Sequence, residues 1–136
     1  MSLKAEILIP INSDADIVTA RRQGRELAQQ AGFNGSDLTV ISTAISEVAR
    51  NIVEHALSGE IVLKVLEDAP RPGLVVVARD RGPGIEDISL AMQDGYSTGK
   101  GLGVGLPGAR RLMDEFEITS KPGNGTTVTM KKWRRR

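Results

Sequence analysis

The sequence predicts an α+β fold: a two-layer sandwich with a mixed, mostly antiparallel sheet and its helices on one face. Three observations carry that prediction. Strand-like and helix-like segments follow one another as strand, two helices, two strands, glycine-rich loop, helix and two strands, without the βαβ alternation of a doubly wound sheet. The longest helical segment carries one continuous apolar stripe, so it has a face to bury against another layer. The paired strands are joined by turn chemistry that favours hairpins.

In order, Ala5-Glu6-Ile7-Leu8-Ile9-Pro10 reads as a strand closed by a proline, which suits a sheet edge. Asn12, Ser13 and Asp14 offer capping side chains to a helix that runs to about Ala31, with Ile17, Val18, Ala20, Arg21, Gly24, Leu27 and Ala28 setting one face on a core. Gly32 and Gly35 end it. Ser36 or Asp37 then caps a second helix, in which Leu38, Ile41, Ile45, Val48 and Ile52 recur at spacings of three and four. Glu47 and Asn51 lie about 100° around from that stripe and one turn apart, roughly 6 Å along the axis. His55 continues their row.

Glu60 to Leu66 and Gly73 to Arg79 are β-branched runs flanked by breakers and read as a hairpin. The second of them enters Asp80-Arg81-Gly82-Pro83-Gly84, a tight turn with one carboxylate at its mouth. A short helical segment, Ile88 to Met92, leads to Asp94-Gly95-Tyr96-Ser97-Thr98 and the glycine run Gly99-Lys100-Gly101-Leu102-Gly103-Val104-Gly105, a composition that suits a mobile lid. The next helix carries Pro107 in its first turn, where a missing N–H is no loss, and turns Leu106, Ala109, Leu112 and Met113 inward. Phe116 to Ser120 and Thr126 to Met130 close the chain around Asn124-Gly125, and Lys131 to Arg136 make a basic terminus.

Length and composition bound the functional classes. A chain of 136 residues fits one domain over 1–136, and 40% hydrophobic with 26% charged residues is ordinary for a globular protein. With no cysteine, disulfides, thiol nucleophiles and cysteine-bound metals are excluded. The sequence shows neither a cleavable signal pattern nor about 18 uninterrupted apolar residues, so a cytoplasmic protein without a membrane partner is expected. A formal charge of +1 supplies no global argument for nucleic acid, and none is expected as a partner.

Three stretches carry chemistry. The glycine run leaves backbone N–H groups uncovered and feeds a helix N-terminus, whose orphan donors and dipole favour phosphate; the same glycines would also serve a plain linker. Asn51 offers Mg²⁺ a neutral oxygen, while Glu47 can hold or deprotonate an attacking hydroxyl; both residues equally suit a solvated face. Asp80 can accept a hydrogen bond from an exocyclic amine, with Gly84 admitting a flat ring to the backbone; a surface turn with a capping aspartate reads the same.

Four separated pieces together resemble one family. Glu47-Val48-Ala49-Arg50-Asn51-Ile52-Val53-Glu54-His55 looks like the N box of the GHKL ATP-binding superfamily, whose fold is the Bergerat sandwich. Asp80-Arg81-Gly82-Pro83-Gly84 is similar to its first glycine box, Gly101-Leu102-Gly103-Val104-Gly105-Leu106 to its second and Gly125-Thr126-Thr127-Val128 to its last. The small size, and a single histidine placed in the N box, resemble the serine/threonine kinases and anti-sigma factors of bacterial partner-switching pathways, above all the stressosome switch kinases. The resemblance implies a Mg²⁺- and ATP-dependent kinase that phosphorylates a serine or threonine on a STAS-domain antagonist protein and engages a PP2C-type phosphatase or a sigma factor. It implies Glu47 as catalytic base and Asn51 as metal ligand. Asp80, Gly82, Gly84 and Thr127 then fall around the adenine, with Lys100, Gly101, Gly103, Val104 and Gly105 around the phosphates. The alternative is an ATP-binding anti-sigma factor or interaction module with little or no kinase activity.

Overall fold

The computed structural model describes residues 3–56, 58–67, 71–82, 92 and 105–134. Its strands are β1 (Leu3–Ile11), β2 (Gly59–Leu66), β3 (Gly73–Asp80), β4 (Glu115–Ser120) and β5 (Thr126–Trp133); its helices are α1 (Asp14–Gln30), α2 (Ser36–His55) and α3 (Gly105–Leu112). The short helix expected at Ile88 to Met92 and the segment 93–104 lie outside the described residues, apart from Met92, which is buried in the core.

The strands form one sheet in the order β1-β2-β3-β5-β4, and all four pairings are antiparallel. The expected mixed character is therefore corrected among the described residues. Its cause lies in the connection after β3: the chain returns at the far edge as β4, and the hairpin brings β5 back between β4 and β3, antiparallel to both. The strand closed by Pro10 is an edge strand, as a missing ladder donor requires.

Alternation along each strand assigns the two faces. Ile9, Ile11, Ile61, Leu63, Leu74, Val76, Val128 and Met130 are buried in the core with Leu27, Ile41, Ile45, Val48 and Ile52 from the helices. α1 and α2 pack on the sheet and α3 packs on α2. The middle of α2 is buried well beyond its apolar stripe, with Ser42, Ala44, Ser46, Glu47 and Ala49 covered as well. Ser42 and Ser46 satisfy their hydroxyls by donating to the carbonyls one turn back, at 2.7 and 2.9 Å. The other sheet face carries Glu6, Leu8, Val62, Lys64, Val77 and Arg79 around a shallow open groove.

Helix ends depart from the expected caps. Ser13 stands at the N-cap of α1 but makes no side-chain cap bond; Asp16 reaches back and accepts the Asn12 N–H at 2.8 Å. α2 starts behind Gly35, at φ +57°, so Ser36 and Asp37 are its first helical residues rather than its caps. The stop at Gly32 is as read: at φ +97° it donates to the Gln29 carbonyl while Phe33 donates to Ala28, a Schellman ending that buries Phe33.

β5 runs three residues past the expected Met130, so part of the basic terminus is structural. Lys132 is on the core face, its ammonium donating to the Leu112 carbonyl at the end of α3 (3.2 Å) and standing 3.6 Å from Asp114. A cation there complements the helix C-terminus. Lys132→Met is expected to cost about 1–2 kcal/mol, because it removes the donor to that carbonyl and the cation beside Asp114; a melting temperature lower by roughly 3–8 °C in a thermal melt is the check. An unchanged melt would show that water replaces the ammonium at no cost. Beyond Trp133, the Arg134 N–H bonds the Pro72 carbonyl at 2.9 Å, while 135–136 are outside the described residues.

Candidate functional site

Two clusters flank α2, one near its middle and one at its C-terminal end. Glu47 forms the first. It is only 6% exposed, and its carboxylate accepts three hydrogen bonds: Oε1 from Arg50 Nη1 (3.0 Å) and the Gly105 N–H (3.1 Å), and Oε2 from the same Nη1 (2.7 Å). The Arg50 contact is local, three residues along one helix. The Gly105 contact spans the fold: it ties α2 to the first residue of α3, whose N–H lies at a helix start and so has no partner within the helix. Gly105 sits at φ +68°, a conformation that few other residues adopt without strain. Asn51 is half-buried one turn beyond Glu47, and His55 is exposed.

Asp80 forms the second cluster, at the end of β3. Its Oδ1 accepts the N–H of Gly82 at 2.9 Å and of Thr126 at 3.1 Å, so the carboxylate joins its own turn to the start of β5. Oδ2 makes no hydrogen bond to a described residue. Three glycines keep this corner tight. A Cβ on Gly59 would strike the Arg79 carbonyl oxygen, one on Gly82 would lie 2.6 Å from Ala56 Cβ, and one on Gly125 would strike the Asp80 carbonyl oxygen. Ser120 secures the neighbouring turn by donating to the Gly125 carbonyl at 3.1 Å and pairing with the Thr126 hydroxyl at 2.8 Å.

The packing of Gly82 on Ala56 puts the Asp80 turn at the C-terminal end of α2, nine residues from Glu47. At 1.5 Å per residue the separation along the helix is about 13 Å. That is comparable with an extended nucleoside triphosphate.

Thr127 requires a correction. Its register opposite Arg79 and Thr119 puts it on the open face of the sheet, away from the helices, because side chains alternate along β5. The threonine joined to Asp80 is Thr126, which is buried. Gly84, Lys100, Gly101, Gly103 and Val104 lie outside the described residues, while Gly82 packs on Ala56 beside Asp80 and Gly105 bonds Glu47. Sequence reasoning missed Arg50, although opposite charges three residues apart on a helix were visible in the motif itself. It also missed Thr126, which strand alternation from Val128 would have chosen.

The donor set suits an adenine nucleotide. An acceptor oxygen stands at a corner too tight for side chains, and a helix begins with an N–H that donates to an anionic oxygen, that of Glu47. Among the described residues no group of three or more acidic, histidine or cysteine side chains could hold a metal, so a cation here would rest on Asn51 and on substrate phosphates. No helix among them is long and apolar enough to cross a membrane.

Residues 11–132 match the family model of the histidine kinase-like ATPase domain. The chain belongs to that family. Over 127 residues it is 48% identical to the serine/threonine-protein kinase RsbT of Bacillus subtilis, covering 93% of this chain and 96% of that protein. It is 33% identical over 101 residues to an anti-sigma F factor of Caldanaerobacter subterraneus, covering 71% of each. Among solved structures, the RsbU and RsbW domains of a Mycobacterium tuberculosis protein match with a TM-score of 0.65 and 27% identity, over 98% of this chain and 34% of that one. The mycobacterial sensor histidine kinase MprB shares the fold, with a TM-score of 0.56 and 13% identity over 95% of this chain and 97% of that chain. These similarities place this family member among the ATP-using serine/threonine protein kinases of partner-switching systems.

Proposed function

We propose that this kinase, as a single domain over 1–136, transfers the γ-phosphoryl group of ATP to a serine or threonine of a STAS-domain antagonist protein in the cytoplasm, with Glu47 as the base. The observation that supports it best is the 3.1 Å bond from the Gly105 N–H to Glu47, because it sets a carboxylate beside the helix start that the glycine run feeds. Phosphoryl transfer needs positioning and charge neutralisation more than covalent chemistry. ATP supplies the phosphoryl group: the substrate oxygen bonds to Pγ as the bridging O–Pγ bond breaks and its electron pair leaves on ADP. Mg²⁺, held on Asn51 and the phosphates, would neutralise charge at the phosphates.

The chain's own residues do the rest. Glu47 accepts the proton of the serine hydroxyl, a role worth about two to four powers of ten in rate. Asp80 keeps Oδ1 on the two N–H groups and turns Oδ2 to the adenine amine. Gly105, with Lys100, Gly101, Gly103 and Val104 of the second glycine box, would hold the phosphates. Gly84 would lie beneath the ring, and Thr126 takes the part first given to Thr127.

The deciding experiment is transfer from Mg²⁺·ATP to a purified STAS-domain protein, followed by identification of the modified residue. Phosphoserine or phosphothreonine supports the reading. ATP binding without transfer favours the second reading, a module that sequesters a sigma factor, which the likeness to anti-sigma F factors also supports. A PP2C-type phosphatase as a further partner is tested by co-purification.

Asp80→Asn is expected to weaken ATP binding by about 10- to 100-fold, since a hydrogen bond to a charged group contributes roughly 1.5–3 kcal/mol. The amide oxygen can keep both N–H partners, which leaves its NH₂ facing the adenine amine, donor against donor. Calorimetry checks this. Unchanged affinity would remove Asp80 from the base pocket.

A further inference from the structure

Arg50 is a residue that neither the proposed chemistry nor the nucleotide boxes give a task. It follows Glu47 by less than one helical turn, and a single nitrogen, Nη1, spans both oxygens of that carboxylate at 3.0 and 2.7 Å. The pair is asymmetric in exposure: the Glu47 side chain is 6% exposed and that of Arg50 34%. Burying a carboxylate is costly unless it is hydrogen-bonded and paired, and Arg50 supplies the cation. The other partner of Glu47 is the Gly105 N–H, on the same Oε1. These two contacts differ in permanence. Arg50 stands on the same helix as Glu47, whereas Gly105 opens the helix where phosphate is expected.

A phosphate oxygen reaching the first turn of α3 would compete with Oε1 for the Gly105 N–H, because that donor has no partner within the helix. Glu47 would then lose its cross-fold anchor at the moment its orientation matters. On the reading of Glu47 as base, we infer that Arg50 is a positioning residue: it holds the carboxylate in place while Gly105 turns to the nucleotide. Arg50 touches neither ATP nor the protein substrate in this arrangement. It acts through Glu47.

Displacement of a reacting group by about 1 Å costs on the order of 100-fold in rate. Arg50→Met is therefore expected to lower kcat for transfer from Mg²⁺·ATP to the purified STAS-domain protein by about 10- to 100-fold, with the KM for ATP nearly unchanged. Arg50→Lys should recover part of the loss, since it restores one cation without the fixed guanidinium geometry. A double-mutant cycle with Glu47→Gln supplies the readout that a merely structural role would not move. If Arg50 works through Glu47, then Arg50→Met should have almost no further effect on kcat once Glu47 is Gln.

The overturning results are distinct. Wild-type kcat in Arg50→Met, with Glu47→Gln inactive, removes the role of Arg50 and leaves the base in place. Full multiplication of the two losses, or a raised KM for ATP as the main change, shows that Arg50 meets the nucleotide directly. Wild-type turnover in Glu47→Gln overturns the base assignment itself and the positioning role with it. Circular dichroism of each variant verifies folding, and Arg50→Gln replaces Arg50→Met in the same cycle should the methionine variant fail to fold.

Discussion

Glu47→Gln is expected to bind ATP with near-native affinity and to transfer phosphate about 100- to 10,000-fold more slowly. The substitution keeps the shape of the side chain and one oxygen for the Gly105 N–H, so the junction of α2 and α3 has no steric reason to change. It removes the proton acceptor, and it replaces the oxygen paired with Arg50 by an NH₂, donor against donor, from which the partly exposed Arg50 side chain can turn to water. Because the Arg50 side chain is one-third exposed, solvent screens that pair and the effect on folding should stay within about 1 kcal/mol. Two measurements on one preparation make the test: ATP affinity by calorimetry and transfer by single-turnover phosphorylation. Loss of transfer alone assigns Glu47 to the chemical step. Loss of both together would mean that the carboxylate organises the nucleotide site rather than accepting a proton.

Gly125→Ala is expected to destabilise the fold by about 3 kcal/mol or more, the largest stability effect among the substitutions considered, and to weaken ATP binding as well. Two costs act together. At φ +81° an L side chain carries roughly 1–2 kcal/mol of backbone strain. The added methyl would also strike the Asp80 carbonyl oxygen, with Asp80 C at 3.0 Å and Arg81 Cα at 3.1 Å behind it, so backbone rather than a flexible side chain must move. Overpacking of that kind costs about 1–3 kcal/mol. The displaced backbone is the one whose carboxylate receives the Thr126 N–H, which carries the damage into the candidate base pocket. A fall of about 10 °C or more in melting temperature and weaker ATP binding in the folded fraction are the expected readings. Gly123 offers the control: it too has positive φ, at +82°, but a Cβ there meets nothing within 4 Å, so Gly123→Ala should show the strain without the collision. Equal losses at the two glycines would refute the claim that Asp80 is what Gly125 accommodates.

Much of the fold was legible because its signals are local. The stripe from Leu38 to Ile52, the hairpin at Asn124-Gly125 and the proline near the end of β1 each follow from the residues on either side. The element order could be read for the same reason. The motif around Asp80 was legible as a tight turn too, since backbone conformation and one polar side chain go together there, Asp80 accepting the Gly82 N–H. Arg50 was equally local, but a salt bridge inside a helix resembles any surface pair until its carboxylate is known to be buried.

The residues on their own determined the α+β class, the order of the elements and the positions of Glu47, Asn51 and Asp80 on them, because periodicity, capping and turn chemistry act over a few residues. Only the tertiary structure decided that the sheet is antiparallel throughout its described residues, that Thr126 rather than Thr127 adjoins Asp80, and that Glu47 meets Gly105 across 58 positions of chain. The physical reason is shared by all three. Each depends on which segments come to lie side by side, and that is set by the burial of faces belonging to distant elements rather than by the conformational preference of any one of them.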